Sequence, residues 1–266
     1  MDKCIRIKRN IRIFEEQDEL HFIKSYGKAV SVQKNRIVLR MIENLLNCGE
    51  RRIIISELAK EFQLEEHRVG QLVESLIKAG VLEIYTNEVI RSNDYIRYET
   101  QLSFFDLLQP TASVREKMNW QLKINHLHIV IVGIGGIGNY VLLSLAAMGI
   151  GKLTIIDGDI IEESNLNRQI IFGEDDLGKK KARIAIQKIG ELNKSCQVKF
   201  VDAIITTKEE ALLHLLNQGV PDFVFICADK PALLPVWINE ISKENSFPFL
   251  NVPSNNSLTI RHLDLN

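Results

Sequence analysis

The sequence predicts an α/β protein: a doubly wound, mostly parallel sheet preceded by a small α+β domain of winged-helix type. Three observations predict it. From about residue 124 onward, short apolar runs alternate with helical patterns, as they do when crossover helices join parallel strands. The first apolar run, 129–132, leads into Gly133-Ile134-Gly135-Gly136-Ile137-Gly138 and then a helical pattern, a strand, glycine turn and helix of Rossmann-like kind. Residues 1–90 differ: period-two stretches, then three helical stripes.

Length and composition set the frame. A chain of 266 residues, 45% hydrophobic and 25% charged, suits two globular domains. A net charge of -1 gives no reason to expect nucleic acid or an anionic membrane as partner. No apolar run reaches the ~20 residues of a membrane span. The N-terminus, MDKCIRIKRN, carries charges where a signal peptide has its apolar core, so a cytoplasmic protein is expected. Cys4, Cys48, Cys196 and Cys227 form no CxxC pair and read as reduced thiols rather than metal ligands.

In the first domain, 1–90, Ile5, Ile7, Ile11 and Ile13 alternate across Lys8-Arg9-Asn10, which predicts a hairpin, and Leu20 to Ile23 adds a strand. A helix from about Asn35 carries Ile37, Val38, Met41, Ile42, Leu45 and Leu46, with Gly49 as its C-cap. Ser56 is expected to cap a second helix that faces Leu58, Ala59 and Phe62 inward. A third runs from Glu65 to Ala79 on Val69, Leu72, Val73, Leu76 and Ile77, and Gly80 ends it. Val81–Ile84 and Val89–Ile90 then predict a wing hairpin around Asn87. The outer side of the third helix mixes Glu65, Glu66, Arg68, Glu74 and Lys78, a poor surface for phosphates. A free strand edge beside that helix suits an extended peptide instead.

Residues 91–123 read as a linker with one or two helical turns around Pro110. It holds Arg97 in Asp94-Tyr95-Ile96-Arg97-Tyr98, which alone reads as a surface arginine. Residues 124–266 form the second domain. Its further strands are expected at 153–156, 198–201, 223–227 and 249–252, with helices at about 180–192, 209–217 and 233–242. The glycine turn, Asp157, Asp159 and Asp229 then share the carboxyl edge of the sheet, where ligands bind in this architecture.

A glycine turn alone is a weak signal, since dinucleotide dehydrogenases have one too. The discriminating residues are Asn165, Arg168, Gln169 and Lys181, a set that suits a polyphosphate whose charge shifts to pyrophosphate as it leaves. Lys179–Lys181 by themselves are a solvated lysine run.

GIGGIG, DGDIIEESNLNRQ, GKKK and CAD, in that order, resemble the ubiquitin-activating-type adenylating superfamily that includes the bacterial ThiF, MoeB and HesA proteins. The resemblance covers about residues 129–252. It implies activation of a peptide or protein carboxylate with ATP and Mg²⁺. It implies that Gly133, Gly135, Gly136 and Gly138 cradle the nucleotide, that Asp157 and Asp159 hold the ribose side, and that Asn165, Arg168, Gln169 and Lys181 meet the phosphates. Asp229 is implied as the metal ligand. Arg97 aligns with the second arginine of an RYSRQ-type segment, Asp94 standing in place of the first, and implies a homodimer in which Arg97 reaches the partner's site. Cys227-Ala228-Asp229-Lys230-Pro231 and Val236-Trp237-Ile238-Asn239 are similar to the SADHP and NWVN segments of the microcin C adenylating branch, which also has an N-terminal winged-helix-like domain for its precursor peptide, the recognition element of ribosomal-peptide modifying systems.

The resemblance stops where that superfamily adds further strands, a crossover loop and often CxxC ligands. An incomplete adenylation domain with an apolar sheet edge at 249–252 is therefore expected. Two functions follow: adenylation of a ribosomally made precursor peptide, or a non-catalytic scaffold that presents such a peptide to another enzyme.

Overall fold

The computed structural model describes residues 3–24, 29–46, 49–90, 92–252 and 259–261. They form two compact units, Met1–Gln121 and Leu122–Asn266.

In the first unit β1 (Cys4–Ile7) is followed by β2 (Ile11–Glu16), β3 (Glu19–Lys24) and β4 (Val30–Gln33). The predicted hairpin between the first two does not form. β2, β3 and β4 make one antiparallel sheet, and the tight turn is at Gln17, with φ 50°. The chain does turn at Lys8–Ile11, with the Ile11 N–H on the Lys8 carbonyl at 3.1 Å, but β1 pairs with partners other than β2 and so lies in another sheet. Lys8 is 3% exposed, and its backbone N–H continues the ladder to Val81.

α1 (Arg36–Leu46) buries Val38, Met41 and Leu45, and Asn35 caps it by accepting from the Val38 N–H at 2.9 Å. Gly49 does not cap this helix. It belongs to β5 (Gly49–Glu50), which pairs with β1. β5 hands the chain directly to α2 (Arg51–Glu61), so that helix starts well before Ser56, and Ile54 joins Leu58 and Ala59 inside. α3 (Glu66–Lys78) buries Val69, Val73 and Leu76. It closes at Gly80, φ +70°, with the Gly80 and Val81 N–H groups on the Ile77 and Leu76 carbonyls. The wing hairpin is also absent. β6 (Leu82–Tyr85) pairs with β1, and Thr86 accepts from the Val89 and Ile90 N–H groups, which winds α4 (Asn87–Ile90).

The expected linker is two full helices, α5 (Asn93–Phe104) and α6 (Val114–His126). α5 is capped by Ser92 and buries Tyr95, Tyr98 and Leu102. Charges hold it in place. Arg6 donates to Glu83 at 2.8 Å and pairs with Tyr95, while Lys117 reaches Glu83 at 2.6 Å and Asp106 at 3.2 Å. Lys8 donates to Asp106 at 2.5 Å, and Arg9 pairs with Glu99 of α5 at 2.8 Å. Buried charges persist where each has an opposite partner and its hydrogen bonds are made. Tyr95 is pushed up to about 12, by burial first and then by its bond to Glu99.

The second unit is the predicted doubly wound sheet. Its strands and helices alternate: β7 (His128–Val132), α7 (Gly136–Met148), β8 (Lys152–Ile156), α8 (Lys181–Leu192), β9 (Gln197–Val201), α9 (Lys208–Leu216), β10 (Phe223–Ile226), α10 (Leu234–Asn245) and β11 (Phe249–Asn251). The spatial order β12-β11-β10-β7-β8-β9 is parallel except for β12 (Thr259–Arg261), which runs antiparallel along β11. The expected bare edge at β11 is thus paired. β7 is buried along its length and serves both faces: Ile129 and Ile131 pack under α7 and α8, Val130 and Val132 under α9 and α10. Strand order reverses between β7 and β10, which opens a crevice at their carboxyl ends.

Candidate active site

That crevice is a cleft of about 950 Å³ lined by Gly133, Gly135, Gly136, Asp157, Asp159, Asn165, Arg168, Gln169, Lys181 and Asp229. Every predicted site residue of the second unit except Gly138 lines it. Gly138 sits behind the wall, where a Cβ would lie 2.1 Å from the Gly133 carbonyl oxygen. Arg97 lies in the other unit, on α5, with its guanidinium 5.7 Å from the Tyr98 ring.

The turn is built by close approach. Gly133 has φ +84°, and a Cβ there would lie 2.8–2.9 Å from Ala228, so β7 and β10 meet at a point only glycine fits. Gly135 has no neighbour within 4 Å of its Cβ position. It precedes α7, whose first N–H groups have no partner in the helix and carry its positive dipole end. The Gly135→Ala variant should therefore keep its melting temperature and bind ATP about tenfold more weakly. Calorimetric titration beside thermal unfolding checks this, and equal ATP affinity would show that the cleft is used elsewhere.

Asp157 does structural work first. It is 8% exposed, and its two oxygens accept from the Ile134 and Asp159 N–H groups, each at 2.9 Å. Burial pushes its carboxyl above the usual range, against the pull of those two bonds and of Lys181. Asp159 is more open and pairs with Lys181 at 2.9 Å. Lys181, only 5% exposed, starts α8, and its own N–H bonds to the Asp159 carbonyl.

The 162–172 segment is folded by its own amides. Asn165 is 6% exposed; it accepts from the Glu162 N–H at 3.2 Å and closes a short turn. The exposed Arg168 bonds to the Ser164 carbonyl and Asn167, and its side chain passes 3.4 Å from a Cβ placed on Gly136. Gln169 is 2% exposed, and its Oε1 has no hydrogen-bond partner. A buried polar atom left open at a cleft wall is the feature expected where a ligand completes the bonding.

One polar residue at the site carried no sequence signal strong enough to single it out. Asn139, fully buried in α7, donates to the Ile134 carbonyl at 2.7 Å and accepts from the Ile171 N–H at 2.9 Å. A lone amide among the apolar residues of that helix was the available clue. Cys227 also lines the cleft. Burial, and then Asp229, push its thiol up to about 12, so it stays protonated and is a poor nucleophile.

Asp229 is exposed at the cleft mouth. No cluster of three or more His, Cys, Asp or Glu able to hold a metal exists among the described residues. A single carboxylate nevertheless fits Mg²⁺, which takes one or two carboxylates together with substrate phosphates and water. No helix among the described residues is long and apolar enough to cross a membrane.

Residues 98–254 match the ThiF family model. A probable molybdopterin-synthase adenylyltransferase of Porphyra purpurea is 48% identical over 82 residues, 31% of this chain and 22% of that protein. The adenylyltransferase and sulfurtransferase MOCS3 of Xenopus laevis is 33% identical over 136 residues, 51% of this chain and 27% of that protein. The chain therefore spans only about a quarter of the length of these two curated relatives. The solved structure of Escherichia coli MccB with AMPCPP and MccA has the same fold, with a TM-score of 0.75 at 22% identity over 97% of this chain and 74% of that one.

Proposed function

Because the chain belongs to the ThiF family, we propose that it adenylates the carboxylate of a ribosomally made precursor peptide with ATP. The observation that carries this reading is the single cleft in which glycine turn, Arg168, Gln169, Lys181 and Asp229 converge. The triphosphate lies over the N-terminus of α7, with Arg168, Gln169 and Lys181 around it and Asn165 shaping their turn. Asp159 takes the ribose hydroxyls, with Asp157 behind it. The peptide carboxylate oxygen attacks the α-phosphorus. The bond from that phosphorus to the bridging oxygen breaks, and its electron pair leaves with pyrophosphate. The product is an acyl-adenylate. Arg168 and Lys181 meet the charge that moves to the leaving group. Asp229 would hold Mg²⁺, which supplies further neutralisation of phosphate charge when bound.

Two features favour a peptide. The likeness to MccB extends over 97% of this chain and so includes the first unit, and the MccB of that solved structure is bound to MccA. In the first unit β2 and β4 each pair only with β3 among the described residues, which leaves edges where an extended peptide can add as a strand. A second reading is favoured by the curated relatives, whose names place them in molybdopterin-synthase and sulfurtransferase chemistry: the carboxylate is then the C-terminus of a small carrier protein. Incubation with ATP, Mg²⁺ and either a candidate precursor peptide or a carrier protein separates the two. The substrate should gain the mass of AMP as pyrophosphate appears. Tight, ATP-indifferent peptide binding with no pyrophosphate would leave the scaffold reading instead.

The reading includes a homodimer in which Arg97 of one protomer serves the partner's cleft. Arg97→Ala and Arg168→Ala proteins, each inactive alone, should on mixing recover roughly a quarter of wild-type turnover, since half the dimers then hold one intact site. No recovery would place Arg97 and Arg168 at the same site of one protomer or leave Arg97 without a role.

A further inference from the structure

We infer that Asn139 is a positioning residue that sets the phosphate-facing turn carrying Arg168 and Gln169 against the glycine turn; this rests on the nucleotide reading of the cleft. Its amide bonds to both segments. Nδ2 donates to the Ile134 carbonyl at 2.7 Å, and Oδ1 accepts from the Ile171 N–H at 2.9 Å. Ile134 is held from its other side, because its N–H is fixed by Asp157 at 2.9 Å. Ile171 lies two residues beyond Gln169, whose unpartnered Oε1 is 2% exposed. The same turn is tied at its start by the Arg168 and Gln169 N–H groups on the Asn165 carbonyl. Asn165 thus fixes one end of the segment to itself, and Asn139 fixes the other end to α7. That second tie joins the turn carrying Arg168 and Gln169 to the helix whose N-terminus faces the cleft.

Asn139 touches no reacting atom in this account, so its loss should weaken recognition of the phosphates and spare recognition of the nucleoside. The Asn139→Asp variant tests this. Ionised, the new carboxylate still accepts from Ile171 but faces the Ile134 carbonyl oxygen with a lone pair. Protonated, it can donate to Ile134 and accept from Ile171, as the amide does. The charged and titratable neighbours are the same in both proteins: Asp157 on Ile134, Arg168 beside Gly136 and Cys227 against Gly138. Asn139→Ser adds no charge, so the pH dependence of its affinity ratio reports those neighbours alone, and the excess seen in Asn139→Asp reports the new carboxylate.

Calorimetric titration of the full chain with ATP and with adenosine, at pH 5.5 and pH 9, gives the readout. The expected result is an ATP affinity about tenfold below wild type at pH 9 and within about threefold at pH 5.5, with adenosine affinity unchanged at both. Asn139→Ser, too short to span the two groups, should lose about tenfold in ATP affinity at both pH values. Equal ATP affinity in wild type and both variants at pH 9 would overturn the positioning role. So would a parallel loss of adenosine affinity, the mark of general destabilisation. If wild-type protein itself bound ATP no better than adenosine, the nucleotide reading would fail first and the role of Asn139 with it.

Discussion

Arg168→Ala should lower pyrophosphate formation by roughly 10²- to 10³-fold. Its melting temperature should stay at the wild-type value. The side chain is exposed and among the described residues bonds to the Ser164 carbonyl and Asn167, both at the surface, so removing it strands no buried group. What it removes is a planar cation beside Gly136, where the proposed function puts the triphosphate. The effect should fall on kcat more than on KM, because the charge Arg168 meets grows as pyrophosphate leaves. Arg168→Lys should restore only part of the rate, since an ammonium cannot form two parallel bonds to phosphate oxygens. Turnover within a few-fold of wild type would make Arg168 a surface residue and weaken the catalytic reading.

The second large effect concerns stability. Glu83→Ala should destabilise the first unit by about 3–5 kcal/mol, the usual cost of removing one member of a buried ion-pair network. Glu83 is 4% exposed and is shared by Arg6 at 2.8 Å and Lys117 at 2.6 Å. Burial alone would raise its carboxyl, but Lys117 and then Arg6 outweigh burial and hold it below the ordinary range. A carboxyl lowered on folding adds stability that is complete above its unfolded value, about 4.3. That stability is lost as pH falls through the lower folded value. Wild-type protein should therefore lose stability below about pH 4.3, and Glu83→Gln should be less stable at neutral pH but flatter in acid. Chemical denaturation followed from pH 7 to pH 3 gives both slopes, and parallel curves for the two proteins would exclude this role for Glu83.

The second unit was legible in the sequence because its central strands are largely buried and therefore read as apolar runs between glycine and polar turns. Ile129–Val132 and Phe223–Ile226 show this well. The motif residues were legible because Gly133–Gly138, Asn165–Gln169, Lys181 and Asp229 keep their order along the chain, and the fold brings that order to one cleft. The first unit was less legible. Its boundaries depend on long-range pairs that leave no local pattern: Gly49 on Ile5, Tyr85 on Cys4, Lys117 on Glu83. A charged residue such as Lys8 or Glu83 reads locally as surface, so the core between β1 and α6 went unseen and the segment 91–123 looked like a linker. Asn139 was hidden for the opposite reason: one amide does not disturb the apolar pattern of α7.

The polar residues around the cleft fall into two sorts. Asp157, Asn139 and Asn165 are buried and spend their side chains on backbone groups. Arg168 and Asp229 are exposed. The two sorts should drift apart under relaxed selection. A descendant of this chain that no longer needed the cleft could lose the exposed Arg168 without stranding a buried group. It could not so easily lose Asp157 or Asn139, whose replacement strands buried amides and carbonyls. Among relatives of this chain, then, an intact glycine turn with Asp157 records only inherited architecture, whereas a retained Arg168 marks a cleft still in use.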